Sequence, residues 1–407
     1  MIVRARAAIT MCGSPIEDAA VAIADGVIVG VGSWDDVRAK HRGELVDLGD
    51  HVLLPGLINA HCHLDYTGLR GSIPSTASFA DWIRAINEQK AGLQEEDYLH
   101  AIADGFAEAA AFGTTTLCNL EAFPELLREM PRPPLRTWWF AEMLDVRTPV
   151  NPAEIHAQML QVFAEREDWH GGTGLAPHAP FTASAKLYAE AAAIAREHQI
   201  PLTTHLAESH EEMEMFLHAK GTLFDFLRDF GRPTGDCGGS TPLAVLLATG
   251  VLDARWIVAH LNELTVDDLQ LLDTAPKFNV VHCPRSHAYF RHAPFKLPEL
   301  RARGFNVCIG TDSLASNSDL SLLAELRQLR RTEASLASVD LLEMVTINAA
   351  RALNQQDSLG CLAPGFHADL IALPASRAAG ELLDAVIEFD GQVPWATVAG
   401  LEATTAG

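Results

Sequence analysis

The sequence predicts an α/β fold: a (β/α)8 barrel of the TIM type, joined to a small β-sandwich domain formed by both chain ends. Three observations predict it. Eight short apolar segments alternate with helical stretches through the middle of the chain. No G-x-G-x-x-G phosphate turn is present, which disfavours a doubly wound sheet. Both termini instead carry short alternating segments punctuated by glycine.

The first segment, residues 1–52, contains "VAIADGVIVGVG" and reads as part of a small antiparallel sheet. The same texture returns at residues 358–407 in "APGFHADLIALP" and "DAVIEFDGQVPWATVAGLEA", so the two ends are expected to share one domain. Residues 53–357 then form the barrel. Its expected strands are 53–63, 113–119, 135–144, 173–178, 201–207, 255–262, 278–283 and 306–312. Helical stretches such as "YLHAIADGFAEAAAF", "SAKLYAEAAAIAREH" and "LSLLAELRQLRRTEASL" lie between them. The glycine-rich "GRPTGDCGGST" at 231–241 reads as a loop near the mouth of the barrel.

Composition narrows the class of partner. A chain of 407 residues with 48% hydrophobic and 20% charged residues has the make-up of a globular enzyme rather than a disordered chain. A formal charge of −23 argues against nucleic acid or an anionic membrane surface as partner, since either wants a basic patch. No stretch approaches the roughly 18 uninterrupted apolar residues of a membrane span. Seven scattered cysteines without a C-x-x-C pair suggest reduced thiols. With no apolar leader in "MIVRARAAITMCGSPIED", the expectation is a cytoplasmic protein acting on a small molecule.

The strand ends carry the chemistry. Strand one ends in His61 and His63, strand four in His178, strand five in His205, strand six in His260, strand seven in His282 and strand eight in Asp312. In a barrel enzyme these ends converge on the active site. Side chains alternate along a strand, so His61 and His63 share a face while Cys62 points away. His205 and Asp312 complete a set of three nitrogens and one oxygen, which suits one divalent metal with an open position, zinc or alternatively iron. None of Lys40, Lys90, Lys186, Lys220, Lys277 or Lys296 falls at an expected strand end, so no bridging lysine for a second metal is expected. The metal would bring the pKa of water down towards about 7.

Such chemistry also needs a proton carrier. In "THLAESHEEMEMF", Glu208 follows His205 by three residues and is the candidate acid/base. Glu211, Glu212 and Glu214 fit the ordinary role of acids opening a helix. His260 is read as a catalytic residue that polarises the attacked group or orients water. Asp312 is assigned both to metal and to proton transfer. His178 is assigned to substrate, and His282 is equally compatible with a structural and a functional role.

Together "PGLINAHCHLD", "THLAESHEE", "VAHLNEL" and "GTDSLASN" resemble the amidohydrolase superfamily, specifically its mononuclear deaminase branch. That branch includes cytosine, guanine and S-adenosylhomocysteine/methylthioadenosine deaminases and the triazine chlorohydrolases. The resemblance covers almost the whole chain, including "LAPGFHADLIAL" in the terminal domain. It implies metal ligands at His61, His63, His205 and Asp312, a proton shuttle at Glu208, a catalytic His260 and a homodimer or larger assembly. Through "SFADWI", "HCPRSHAYF" and "GTDSLASN" the chain is most similar to the aminodeoxyfutalosine deaminases of menaquinone synthesis. The nucleoside deaminases tend to carry asparagine after the "CPxS" element, where this chain has His287.

The resemblance implies that Trp82 packs against substrate, that His178 contacts the heterocycle and that a glutamate, here Glu88, binds ribose hydroxyls. Ser316 is counted with the substrate contacts. An adenine nucleoside bearing a carboxylate wants an arginine, and Arg147, Arg285 and Arg291 are the candidates. The expected reaction is hydrolytic deamination of an aminated purine. Its rivals are deamination of another heterocycle, dechlorination of a triazine and, more distantly, a non-catalytic barrel that binds a partner.

Overall fold

The computed structural model describes residues 1–74, 78–375 and 381–403. Five strands open the chain: β1 (Ile2–Ala8), β2 (Ile16–Ala24), β3 (Val27–Ser33), β4 (Leu45–Asp47) and β5 (His51–Pro55). The barrel strands follow: β6 (Leu57–His63), β7 (Thr114–Glu121), β8 (Arg136–Met143), β9 (Gly171–Pro177), β10 (Leu202–Leu206), β11 (Trp256–His260), β12 (Asn279–His282), β13 (Asn306–Ile309) and β14 (Asp312–Ser313). Three last strands, β15 (Leu370–Pro374), β16 (Trp395–Val398) and β17 (Leu401–Glu402), return to the first group.

The terminal strands form one sheet in the order β17-β16-β15-β5-β1-β2-β3, with β4 beside β1. Its far edge bends back on the segment before β15: Ile28 N donates to Phe366 O at 2.8 Å, and Ala368 N donates to Gly26 O at 2.9 Å. Val21, Ile28, Leu53 and Leu370 are enclosed between the two halves.

The expected strand 53–63 is split between the two sheets. β5 pairs with β1 and β15, whereas β6 pairs with β7. The break falls at Gly56, where an added Cβ would lie 2.0 Å from Thr115 Oγ1, so only glycine lets the chain cross there.

The barrel runs β13-β12-β11-β10-β9-β8-β7-β6-β14. β13 and β14 are two halves of one strand, interrupted at Gly310 and Thr311. The first half pairs with β12 and the second with β6, which closes the ring. All these pairings are parallel, so helical crossovers are required and the strands are covered on both faces. The expected helices appear as Glu95–Ala111, Ala185–His198 and Leu322–Thr332. Two are capped by serine hydroxyls, Ser184 accepting from Leu187 N and Ser321 from Ala324 N.

The period of two separates two cores. Along β8, Trp138 and Phe140 point into the barrel with Cys118, Ala176, Ile257 and Cys308. Trp139 and Ala141 point out against the helices. At the foot of β8 the buried Arg136 donates to both carboxylate oxygens of Asp369, at 2.8 and 3.2 Å, and so ties the barrel to the terminal sheet. No helix among the described residues is long and apolar enough to cross a membrane.

Candidate active site

His61 and His63 reach the centre of the barrel by a local irregularity. Ile58 and Ala60 already face inward, and simple alternation would send His61 outward. The β6–β7 register shifts between Asn59 and Cys62, so that Cys62 packs outward while both histidines turn in. Opposite them, Gly310 lets strand eight approach: a Cβ there would lie 2.6 Å from His61 O. His63 Nε2 lies 3.3 Å from His205 Nε2. Asp312 Oδ1 lies 3.8 Å from His61 Nε2 and 4.0 Å from His63 Nε2.

This set fits a divalent metal. Both ring nitrogens of His61 are buried without a hydrogen-bond partner among the described residues, a costly state for an imidazole unless something binds it. His205 Nδ1 lies 2.9 Å from the His178 carbonyl, which aims Nε2 at the centre. Asp312 Oδ2 accepts from Ser286 Oγ at 2.7 Å, and Ser316 Oγ lies 2.9 Å from Ser286 Oγ. Burial lowers His61 to about 3 and depresses His63 and His205, keeping them as the neutral ligand form. Burial alone would raise the Asp312 carboxyl, but the facing His61 and His63 and the Ser286 hydroxyl hold it below its ordinary value.

The backbone is bent to make this arrangement. Ala207, His260, Leu261 and Asp312 all adopt left-handed conformations, with φ of 49°, 76°, 51° and 61°. Such conformations cost non-glycine residues energy and concentrate at functional sites.

Beside this set lies a buried carboxyl. Glu208 is buried, and desolvation, with Asp312 and Glu212 behind it, pushes its carboxyl well above the usual range. Its Oε1 lies 3.7 Å from His260 Nε2, an atom with no hydrogen-bond partner among the described residues. Glu208 is fixed through its backbone: its N–H donates to Glu212 Oε2 at 2.8 Å, and its carbonyl accepts from Asn262 Nδ2 at 3.0 Å.

Two acids that the sequence presents as ordinary helix openers thus have specific partners. Glu212 is fully buried, which raises it to about 7, and it anchors Glu208. Glu211 accepts from Phe79 N and Ala80 N, both at 2.9 Å, and docks the helix Phe79–Lys90 that carries Trp82.

A cavity of about 640 Å³ opens above these groups and is walled by residues of several strand ends and of that helix. A model of the amidohydrolase family matches residues 52–393. The chain belongs to the amidohydrolase family. A shorter stretch, residues 19–43, matches an imidazolonepropionase-like composite domain of bacteria.

The 5-methylthioadenosine/S-adenosylhomocysteine deaminase of Syntrophobacter fumaroxidans is 31% identical over 374 residues, 89% of this chain and 81% of that one. Its counterpart in Pyrococcus furiosus is 29% identical, over 88% of this chain and 82% of that one. Among solved structures, an adenosine deaminase from Xanthomonas campestris with bound zinc has a TM-score of 0.83 at 25% identity, covering 98% of this chain and 92% of that one. The aminofutalosine deaminase of Helicobacter pylori shares the fold, with a TM-score of 0.82 at 22% identity and coverage of 98% and 99%.

In this amidohydrolase the expected substrate contacts divide. Trp82, Arg147 and His178 line the cavity. His178 is buried to about 3 in pKa, hence neutral, with Nδ1 2.6 Å from Thr182 Oγ1. Ser316 stands behind Asp312 and Ser286 instead of on the cavity wall.

Three others are not brought to the cavity. Glu88 is exposed on its helix. Arg285 is held by Asp319, with bonds of 2.6 and 3.0 Å to its two oxygens, so its guanidinium is already neutralised. Arg291 is exposed in a left-handed residue (φ 58°) capping the helix Pro284–Phe290. His282 faces away from the site, between the inward Val281 and Cys283, and stacks on Phe295 at 3.9 Å.

Sequence reasoning missed Glu142 and Lys90, which both line the cavity. Alternation along β8 was the available signal for Glu142, which follows Trp138 and Phe140 on the inward face. Lys90 arrives from a helix, where strand-end reasoning does not look.

Proposed function

We propose that this chain is a metal-dependent hydrolytic deaminase of an aminated purine, acting on an adenine nucleoside such as aminodeoxyfutalosine. The observation that carries this reading is a buried, backbone-anchored Glu208 within reach of His260, beside a centre of three histidines and one aspartate. Deamination is the reaction that uses such a carboxyl twice. The relatives named above as deaminases support the same class.

A divalent metal held by His61, His63, His205 and Asp312 supplies Lewis acidity and lowers the pKa of water there. The chain's own residues do the rest. Water adds to the carbon that bears the amine, and Glu208 with Asp312 handles its proton. Glu208 delivers a proton to the adjacent ring nitrogen and then to the departing amine, so the products are the oxo-purine and ammonia. His260 Nε2, free of other partners among the described residues, is placed to stabilise the oxygen that develops charge. His178, neutral and fixed by Thr182, contacts the heterocycle.

The cavity falls within the roughly 300–1,000 Å³ of small-molecule sites and leaves room for more than a bare base. Arg147, stacked over Phe230 at 4.0 Å on the cavity wall, is the expected arginine that this reading assigns to a substrate carboxylate. The proposed metal is zinc, with iron as the alternative that elemental analysis separates. The same reading takes the enzyme as a cytoplasmic homodimer, in keeping with seven unpaired cysteines.

Ammonia release from adenosine, methylthioadenosine, S-adenosylhomocysteine and aminodeoxyfutalosine, with guanine and cytosine alongside, tests the proposal. Release from none of them by metal-loaded protein overturns it.

A further inference from the structure

The "CPRSH" stretch lies where β12 ends and the helix Pro284–Phe290 begins. Two neighbouring side chains of that helix reach different parts of the site. Ser286 Oγ donates to Asp312 Oδ2 at 2.7 Å, while Asp312 Oδ1 is the oxygen near His61 and His63. His287 Nδ1 lies 3.0 Å from Asn262 Oδ1. Asn262 is only 2% exposed, and its Nδ2 donates to the Glu208 carbonyl at 3.0 Å. Since Nδ2 is the donating end of this amide, Oδ1 accepts and the imidazole donates. His287, Asn262 and Glu208 thus form one line of hydrogen bonds that ends at the backbone of the proposed acid/base.

The backbone there needs holding. Glu208 follows Ala207, and Asn262 follows His260 and Leu261, all three in left-handed conformations. Leu261 N donates to Leu206 O at 2.9 Å and Glu263 N to Ala207 O at 3.0 Å, which joins the two bent segments. Glu212 takes the Glu208 N–H and Asn262 takes its carbonyl, so the peptide groups on both sides of the Glu208 Cα are fixed. The direction of the side chain is fixed with them. Without the His287 donor, Asn262 Oδ1 becomes a buried acceptor with no other partner among the described residues, and the amide can turn away from Glu208. His287 itself neither lines the cavity nor joins the groups that could hold a metal.

We propose that His287 is a positioning residue for proton transfer: through Asn262 it holds the Glu208 backbone, while its neighbour Ser286 holds Asp312, so that one helix sets the acid/base and the proposed metal ligand at a fixed separation. This rests on the reading of Glu208 as the acid/base.

The test measures kcat and KM for ammonia release, with metal content, using whichever nucleoside of the panel above the wild type turns over fastest. H287A should lower kcat by about ten- to a hundred-fold, the scale for misplacing a reacting group by up to about 1 Å. KM should stay within about threefold and metal content should not change, because neither substrate nor metal is touched. H287N should stay within about threefold of the wild-type kcat, because asparagine Nδ2 and imidazole Nδ1 are both bonded to Cγ and can donate from the same place. Adding H287A to N262A or to E208Q should cost less than about threefold more, since links of one chain are not additive. Should H287A not fold, H287F fills the space without a donor and should behave as H287A is expected to. A donor-free variant that keeps kcat, an H287N as slow as that variant, or the same loss in the E208Q background each overturns the link.

Crystal structures of metal-loaded wild type, H287F and H287N separate this from the parent reading. No turnover by the wild type, with the Glu208 carboxyl displaced by about 1 Å or more in H287F but not in H287N, overturns the deaminase and supports the link. Turnover with Glu208 unmoved in H287F does the reverse. No turnover with Glu208 unmoved overturns both.

Discussion

The two ends of the barrel treat their buried ionisable groups differently, although at the foot the Thr114, Thr115 and Thr116 hydroxyls also lack partners among the described residues. At the foot, Arg136 is matched to Asp369, and Asn306 Nδ2 donates to Asn279 Oδ1 at 2.8 Å. Asn279 Nδ2 in turn donates to the Ala254 and Trp256 carbonyls at 3.0 and 3.1 Å. At the mouth, His61, His260 and Glu142 keep buried atoms without partners among the described residues, and four strand-end residues adopt left-handed backbones. Paired groups at the foot contribute stability. On the proposed function, the unpaired groups at the mouth are held in costly states because a metal and a substrate would complete them.

The contrast predicts opposite outcomes for a substitution at each end. At the mouth, E208Q should lower kcat for deamination by about 10² to 10⁴, the range for loss of a general acid–base. Its melting temperature should hold or rise, because a desolvated carboxyl is replaced by a neutral amide. Ammonia release, a thermal melt and metal content on one preparation check this. A fall of less than tenfold, with metal retained, removes Glu208 from the proton path.

At the foot, R136M should cost about 3–5 kcal/mol, because it leaves the Asp369 carboxylate buried and uncompensated. The folded fraction should keep its kcat/KM. Pairing it with D369L should recover most of the loss, since a buried ion pair is often matched by apolar residues of similar volume. Urea unfolding of the three proteins measures this. A foot substitution that lowers kcat/KM of folded protein would break the division between the ends.

The frame of the barrel was legible because parallel strands buried on both faces leave apolar runs, and the strand ends stood out as histidines and an aspartate against them. What was not legible depends on partners distant in sequence. Arg285 looks available until Asp319, on the next strand's loop, is seen to hold it. Glu212 looks like a helix opener until the Glu208 amide is found against it. The shared face of His61 and His63 could be read from their spacing. The shift of register that turns that face inward could not, because it depends on the neighbouring strand β7 and on Gly310 of strand eight.

A smaller effect is expected one layer behind the ligands. Ser286 Oγ donates to Asp312 Oδ2 and touches Ser316, so it orients a ligand without being one. S286A should weaken metal affinity by about 10- to 100-fold, the usual size for outer-shell partners. S316A should do less, because Ser316 reaches the aspartate mainly through Ser286. Titration of metal into stripped protein gives both affinities, and equal effects of the two serines would contradict this ranking.

Glu325 sharpens the comparison furthest, because it lies near the mouth yet is built like the foot. It is fully buried and accepts from Arg285 N at 2.8 Å and Asn317 Nδ2 at 2.7 Å. If pairing rather than position marks a structural group, E325Q should change kcat by less than about threefold, within the usual range for residues away from the chemistry. Its signature should appear in stability against pH. Burial raises this carboxyl to about 8 despite the opposing pull of Arg285 and the two hydrogen bonds. The unfolded chain releases that proton near the ordinary value of about 4.3. Between these values the folded state binds more protons than the unfolded one, so stability falls as pH rises from about 4.3 to about 8, by up to about 1.4 kcal/mol per pH unit. E325Q cannot titrate, so its stability should decline less steeply over that window while matching the wild-type trend above it. Urea unfolding at pH values across the window measures the two slopes. Equal slopes would mean that Glu325 stays ionised against Arg285, and a large loss of kcat would mean that position at the mouth outweighs pairing.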